Sequence, residues 1–290
     1  EPGRGIRPIV SGSRVHTDGS TILGGDCKAG IAAILEALEA IRDDQSNRIP
    51  VQLVITRGEE IGLVGAHNLD FSLIVAREGV VFDGGGPVSK VTIASPTYIR
   101  FDVQVTGRAA HAGVEPEKGI SAIKIASEII AQLPQGRIDN ETTLNVGTIA
   151  GGTVRNAVPE STSFSGEFRS RNAETLEGVR RQVLDALESA RQKYPEADIK
   201  GELDVQFQMY SLGEDDQIVT RVTRSIAALD LATELGASGG GTDANAMRLN
   251  GIDCVVVGMA TNGMHTVNEY VVISDLMNTA RFCERLLEAQ

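Results

Sequence analysis

Tryptophan is absent from this chain of 290 residues, aromatic side chains make up only 4% of it, and its three cysteines stand far apart at positions 27, 254 and 283. An odd, scattered set of thiols excludes a disulfide framework and fits reduced side chains. No run approaches the roughly eighteen consecutive apolar residues that a membrane span needs, so no membrane partner is expected. The opening residues EPGRGIRPIV lack the basic and apolar pattern of a signal peptide, and the chain reads as cytoplasmic. Positive charge is scarce too: 27 Lys and Arg face 39 Asp and Glu, a net charge of −12 that would repel a nucleic-acid backbone. No initiator methionine precedes Glu1, which reads as a fragment or a chain trimmed at its start.

Apolar residues at 41% and charged residues at 23% describe a globular protein, long enough for one large or two modest domains. From Lys28 to Ile41 the residues Ile31, Ile34, Leu35, Leu38 and Ile41 recur at helical spacing, and the β-rich run VQLVIT (51–56) after Pro50 predicts a buried strand. A short helix from about Ile61 to Asp70 and the strand GVVFD (79–83) repeat the alternation, which points to an α/β domain with a mostly parallel sheet. The pattern then changes. YIRFDVQVTG (98–107) and TSFSGEFRS (162–170) alternate apolar and polar residues as half-exposed antiparallel strands do, with amphipathic helices predicted near 119–133 and 173–193. After about Ser211 the α/β character returns, with a helix near 215–229, the strand CVVVGM (254–259) and a closing helix near 275–288. Residues 1–94 and 209–290 are therefore expected to form one domain, split around an inserted α+β domain at 95–208.

Four clusters carry candidate chemistry: GGDCK (24–28), GEE (58–60), FDGGG (82–86) and GMH (263–265). Each has a plain structural reading. Asp26 could cap the helix it precedes, Glu59 and Glu60 could be first-turn helix acids, Asp83 could sit in a turn, and His265 could be a buried or surface histidine. Their convergence argues for more, because strand ends delivering Asp, Glu–Glu, Asp and His to one edge of a sheet concentrate negative charge that a cation would balance. Three glycines after Asp83 let backbone approach a ligand. The glycine run 239–241, with Gly240 at its centre, could present N–H groups to an anion or form only a tight turn. His16 and His67 match no metal motif.

At this point the sequence resembles the M20 metallopeptidases, most closely their peptidase T-like (tripeptide aminopeptidase) members. The resemblance runs along the whole chain: GGDCKAGIAAI resembles the family's G-x-D-x-K-x-G helix start, TRGEEIGLVGA its Glu–Glu motif, VFDGGG its metal-binding Asp, and GRAAHAG (107–113) its lid signature. NVGTIAGGTVRNAVPE (145–160), FRS (168–170) and GGGTDANAM (239–247) follow the same pattern. It implies a zinc-exopeptidase-like catalytic domain with an inserted lid and dimerisation domain. It also implies two zinc ions, with cobalt or manganese as alternatives. Asp26 would bridge them, Glu60 and His265 would complete one metal site, Asp83 would belong to the other, and Glu59 would be the general base. His111 would hold the oxyanion, within its own subunit or across a homodimer. Asn156, Arg169 and Gly240 would contact a short peptide, Arg169 through its carboxylate.

One family element is missing: an H-x-D motif expected upstream of Asp26, whose histidine would complete the Asp83 site. Cys27 stands where peptidase T-like proteins often carry an acid, a change read as tolerated. The expected activity is removal of the N-terminal residue of short peptides. The alternatives are an M20 carboxypeptidase or N-acyl-amino-acid amidohydrolase, or an inactive, truncated dimeric binding module.

Overall fold

The computed structural model describes residues 3–42 and 48–288. The first stretch of chain carries β1 (Ile9–Ser11), β2 (Arg14–His16), α1 (Gly25–Ile41), α2 (Val64–His67), β3 (Glu78–Gly84) and β4 (Lys90–Ser95). The middle stretch carries β5 (Thr97–Thr106), α3 (Ala122–Gln132), β6 (Gly136–Arg137), β7 (Thr142–Gly151), β8 (Ser161–Ser170), α4 (Ala173–Lys193) and β9 (Asp198–Phe207). The last carries β10 (Tyr210–Ser211), α5 (Gln217–Ala227), β11 (Glu234–Ala237), α6 (Asp243–Leu249), β12 (Asp253–Gly258), β13 (Thr261–Asn262), β14 (Tyr270–Val272) and α7 (Ile273–Leu286). These elements gather into two compact units, Glu1–Ser95 with Tyr210–Ser238 and Thr242–Gln290, and Pro96–Met209 with Gly239–Gly241.

The first unit is of the α/β class expected from the sequence. Its main sheet runs β10-β4-β12-β3 with β11 beside β4, and a smaller sheet runs β1-β2-β14-β13. Strand β12 lies parallel to β3, and β11 parallel to β4, while β4 is antiparallel to both β12 and β10. Short connections explain the mixture: residues 85–89 between β3 and β4 are too few for the crossover that a parallel return requires. The core gathers Val255, Val256 and Val257 of β12, Val219, Val222 and Ile226 of α5, and Phe282 of α7. A strand buried on both faces must be apolar at every position, as CVVV is.

Helix α1 forms where periodicity placed it, and the residues it buries most deeply are Ala29, Gly30, Ala33 and Ala37. The reason is close approach: a side chain at Gly30 would reach within 2.6 Å of Phe82 Cβ, beside Asp83. Two sequence expectations fail locally. Residues 51–56 make no ladder with any described strand, and Val51, Leu53, Val54 and Ile55 are exposed. Apolar, β-branched composition favours a strand, but a strand also needs an edge to pair with. The helix expected over 61–70 is cut down to a 3₁₀ turn at Glu59–Ile61 and the four residues of α2, because Gly58 and Gly62 hold φ of 68° and 99° on either side of the turn.

The second unit is an antiparallel sheet, order β6-β7-β8-β5-β9, covered by α3 and α4. Alternation works as expected: Ile99, Phe101, Val103 and Val105 of β5 point into a core shared with Phe164, Phe168, Ile125, Ile129 and Leu187. Both helices start on side-chain caps. Ser121 Oγ accepts from Lys124 N at 3.3 Å, and Asn172 Oδ1 accepts from Glu174 N and Thr175 N at 3.0 Å.

Candidate functional site

The GGD turn is held from the far end of the chain. Glu269, only 1% exposed, accepts hydrogen bonds from Gly24 N at 2.6 Å and Asp26 N at 2.9 Å. These N–H groups open α1 and lack helical partners, so Glu269 does for this helix what a cap residue does elsewhere. Asp26 is thereby released from capping, the plain role open to it in the sequence. Its backbone is extended (ψ 112°), and its carboxylate turns toward groups from other elements.

Two donor sets meet at Asp26. Its Oδ2 lies 3.1 Å from His265 Nε2, which also lies 2.9 Å from Glu60 Oε1. On the other side Cys27 Sγ sits 3.4 Å from Asp26 Oδ1 and donates to Asp83 Oδ1 at 2.9 Å. Asp26, Glu60 and His265 form one group whose ligand atoms all fall within 4.8 Å of one another, and Asp26, Cys27 and Asp83 form a second. The Asp26 side chain is nearly buried at 9% exposure, whereas His265 is 62% exposed, its ring reaching in from a loop. That loop needs a left-handed residue at His265 (φ 63°) and is braced by Thr266 Oγ1, which donates to Gly263 O at 2.7 Å.

The electrostatics are those of a cluster short of positive charge. Burial, with the nearby carboxylates of Asp83, Glu60, Asp243 and Asp26, pushes Glu59 up to about 8. Burial pushes Asp83 up to about 7; the Cys27 thiol opposes this, and Asp26 and Asp243 add to it. Cys27 is driven far above the usual thiol range by burial and by Asp83 and Asp26. Two oxygen-rich donor sets sharing one carboxylate, with one imidazole and one thiol, fit divalent cations. Binding them would remove the like-charge repulsion that raises Glu59 and Asp83.

Two residues here were not singled out in the sequence, and a third was given no role. Glu269 lies four residues after His265 in GMHTVNE, and nothing local marks it as facing Gly24. Asp243, in GGGTDANAM, is buried, accepts from Thr56 Oγ1 through Oδ2, and leaves Oδ1 without a hydrogen-bond partner among the described residues. Cys27, read as a tolerated replacement, stands between Asp26 and Asp83. The two unassigned histidines stay apart from the clusters: His16 Nδ1 bonds Thr17 O at 2.5 Å, and His67 ends α2.

The remaining candidates belong to the second unit. His111 pairs with Ala157 in an isolated bridge, and Ala112 N donates to Asn156 O at 3.0 Å, so the His111 and Asn156 segments run side by side. His111 Nδ1 accepts from Gly113 N at 3.2 Å, which leaves Nε2 as the protonated, exposed nitrogen. Arg169 is held by Glu167 (2.7 Å), stacks 4.3 Å from the Tyr98 ring centre, and donates to Gly239 O at 3.3 Å. It lines a cleft of about 240 Å³ with Arg137, Arg171, Glu141 and Gly239. Gly240 lies in the bend beside Gly239.

Comparison with known proteins finds relatives of this chain. The sequence family described as the Peptidase dimerisation domain, of the M20 type, matches residues 93–195. The uncharacterized protein YqjE of Bacillus subtilis is 39% identical over 99% of this chain and 77% of its own length. The aminopeptidase PepT of Bacillus cereus has a solved structure with a TM-score of 0.89 and 35% identity, covering 99% of this chain and 76% of that one. A tripeptidase of Staphylococcus aureus gives 0.92 and 31% identity, covering 98% and 76%.

Proposed function

This chain belongs to the M20 family of peptidases, in its peptidase T-like group, and is a metallo-exopeptidase; from that premise we propose that it removes the N-terminal residue of short peptides, tripeptides above all, at a centre of two zinc ions. The observation that carries the reading is the pair of donor sets meeting at Asp26. Asp26 would bridge the two cations, Glu60 and His265 would hold one, and Asp83 the other, with the Cys27 thiol beside it. Zinc held there would supply Lewis acidity, polarising the scissile carbonyl and making water a better nucleophile.

The chain's own groups do the rest. Glu59, pushed up to about 8 among four other carboxylates, falls toward neutrality once positive charge stands beside it. A carboxyl group poised there takes the proton of the attacking water and returns it to the leaving amine. His111, whose Nδ1 accepts from Gly113 N, would donate through Nε2 to the carbonyl oxygen as negative charge develops on it, from its own subunit or from a partner copy. Asn156 and the Gly240 bend would contact the peptide backbone, and the guanidinium groups of Arg137, Arg169 and Arg171 would receive its C-terminal carboxylate. The protein would act in the cytoplasm as a homodimer formed through its second unit; among the described residues no helix is long and apolar enough to cross a membrane.

A substrate pair tests the assignment: one tripeptide with a free α-amine, and the same peptide N-acetylated, each incubated with zinc-loaded protein and followed by chromatography. Release of the first residue from the free peptide alone is expected. Cleavage of the blocked peptide would move the activity to a carboxypeptidase or N-acyl-amino-acid amidohydrolase. No turnover together with no zinc uptake would make the chain a binding module.

A further inference from the structure

The turn that carries Glu59 and Glu60 follows a segment with no sheet to hold it, since residues 51–56 pair with no described strand. Downstream the turn closes on itself. Gly62 N and Leu63 N donate to Glu59 O at 3.1 and 2.9 Å, Val64 N to Gly58 O at 3.1 Å, and Gly65 N to Arg57 O at 2.8 Å. These bonds shape the turn but join it only to its neighbours in sequence. Helix α6 supplies a tie to the rest of the unit: Thr56 Oγ1 donates to Oδ2 of Asp243, the first residue of α6 and 8% exposed. Asp243 is itself well held, because Thr242 and Asn245 form a reciprocal capping box around it and Asn245 Nδ2 donates to Ser95 Oγ of β4 at 2.9 Å. The fit is close as well, for a side chain at Gly65 would come within 2.5 Å of Arg57 O and 3.0 Å of Thr56 Cβ. A buried carboxylate is costly, and the Asp243 oxygen that is satisfied is the one that Thr56 engages. Its charge is felt at both Glu59 and Asp83, which puts it beside the cluster.

We propose that Thr56 and Asp243 are positioning residues: their hydrogen bond anchors the Glu59–Glu60 turn to α6 and so sets the place of both carboxylates at the metal centre. This rests on the roles given to Glu59 and Glu60 above. Neither Thr56 nor Asp243 belongs to a donor set, so breaking their bond shifts the turn without deleting a ligand. A hydrogen bond to a charged acceptor is stronger than one between neutral groups, which suits an anchor for a segment that no ladder supports. Catalysis is the step most exposed to such a shift. Proton transfer needs Glu59 within hydrogen-bond reach of the attacking water, whereas the proposed peptide contacts lie on other residues.

Substitutions at both ends of the bond test this on the full chain. Thr56→Val keeps the shape of the side chain and removes the donor. It is expected to lower kcat toward a free tripeptide about 10- to 100-fold with KM within about twofold of the wild type, and to weaken zinc binding by calorimetry about tenfold, with an unchanged circular dichroism spectrum. Thr56→Ser restores the donor and should bring kcat and zinc affinity back to within about threefold of the wild type, which a role in packing alone would not do. Asp243→Ala removes the acceptor and should give the same split between kcat and KM, and the double variant should lose no more than the worse single one. Asp243→Ala decides the matter if Thr56→Val folds poorly. A folded Thr56→Val protein with unchanged kcat and zinc affinity, or losses that add in the double variant, overturns the anchor. A wild type that takes up zinc but leaves the tripeptide intact overturns the aminopeptidase reading instead, and the zinc affinities of the variants then judge the anchor by themselves.

Discussion

The contact between Glu269 and the GGD turn allows a quantitative test of how the site is assembled. Its carboxylate is buried and spends one oxygen on Gly24 N (2.6 Å) and the other on Asp26 N (2.9 Å). Glu269→Gln keeps the shape but leaves one oxygen, so one N–H faces an amide NH₂ and loses its acceptor. A hydrogen bond to a charged group contributes about 1.5–3 kcal/mol, and stranding a buried donor costs about 1–3 kcal/mol more. Relief of negative charge beside Asp26 offsets part of this, and a net loss of about 3 kcal/mol is expected for the metal-free protein. With a urea m-value of about 2 kcal/mol/M, the midpoint should fall by about 1.5 M. Far-UV circular dichroism is the appropriate probe, since the chain has no tryptophan. The control is Glu39→Gln, which breaks an exposed ion pair with Arg42 and should cost less than about 1 kcal/mol. Because Asp26 is oriented through its own N–H, zinc affinity by calorimetry should also drop about 10- to 100-fold. Equal urea midpoints for the two variants would refute the claim that Glu269 holds the turn.

Three further outcomes follow from the same site. Glu59→Ala should lower turnover by about 10²–10⁴-fold while zinc content by elemental analysis stays near that of the wild type, and loss of metal would exchange the roles of Glu59 and Glu60. In the metal-free protein Glu59 and Asp83 lie at about 8 and about 7 instead of 4.5 and 3.8, so the folded state binds more protons than the unfolded chain between those values. Stability is then highest below the unfolded values and is lost as pH rises through 7 to 8, so zinc should raise Tm more at pH 8 than at pH 6, and an equal rise at both would contradict the charge-cluster picture. Asp83→Asn removes one of the repelling charges; it should stabilise the metal-free protein at pH 8 by on the order of 1–3 kcal/mol while diminishing the zinc-induced rise in Tm, both visible in thermal melts.

Helical and strand periodicity anticipated much of the fold. The β5 and β8 ladders, the capped helices α3 and α4 and the buried β12 all follow from local pattern, because each buries an apolar stripe whose period matches its own geometry. Periodicity found α1 but not its buried face, which is made of Ala and Gly. Which face a helix buries depends on how closely its neighbour approaches, and Phe82 comes too near for a larger side chain at Gly30. Periodicity misled at 51–56, where apolar composition marks a strand but pairing depends on a partner edge.

The candidate site divides along the same line. By itself the sequence determined which chemical groups were available and that they stood at element ends: Asp26 before a helix, Glu59 and Glu60 after an expected strand, Asp83 at the end of a buried strand, His265 in the loop after another. Only tertiary structure decided that these groups share one volume, with Asp26 common to two donor sets, Cys27 between Asp26 and Asp83, and Asp243 adding charge from α6. It also decided that Glu269, more than two hundred residues away in sequence, caps α1 and frees Asp26 to turn inward. Local sequence encodes backbone preference over a few residues, whereas repulsion between carboxylates and capping by a distant glutamate depend on distance in space, which exists only once the chain has folded.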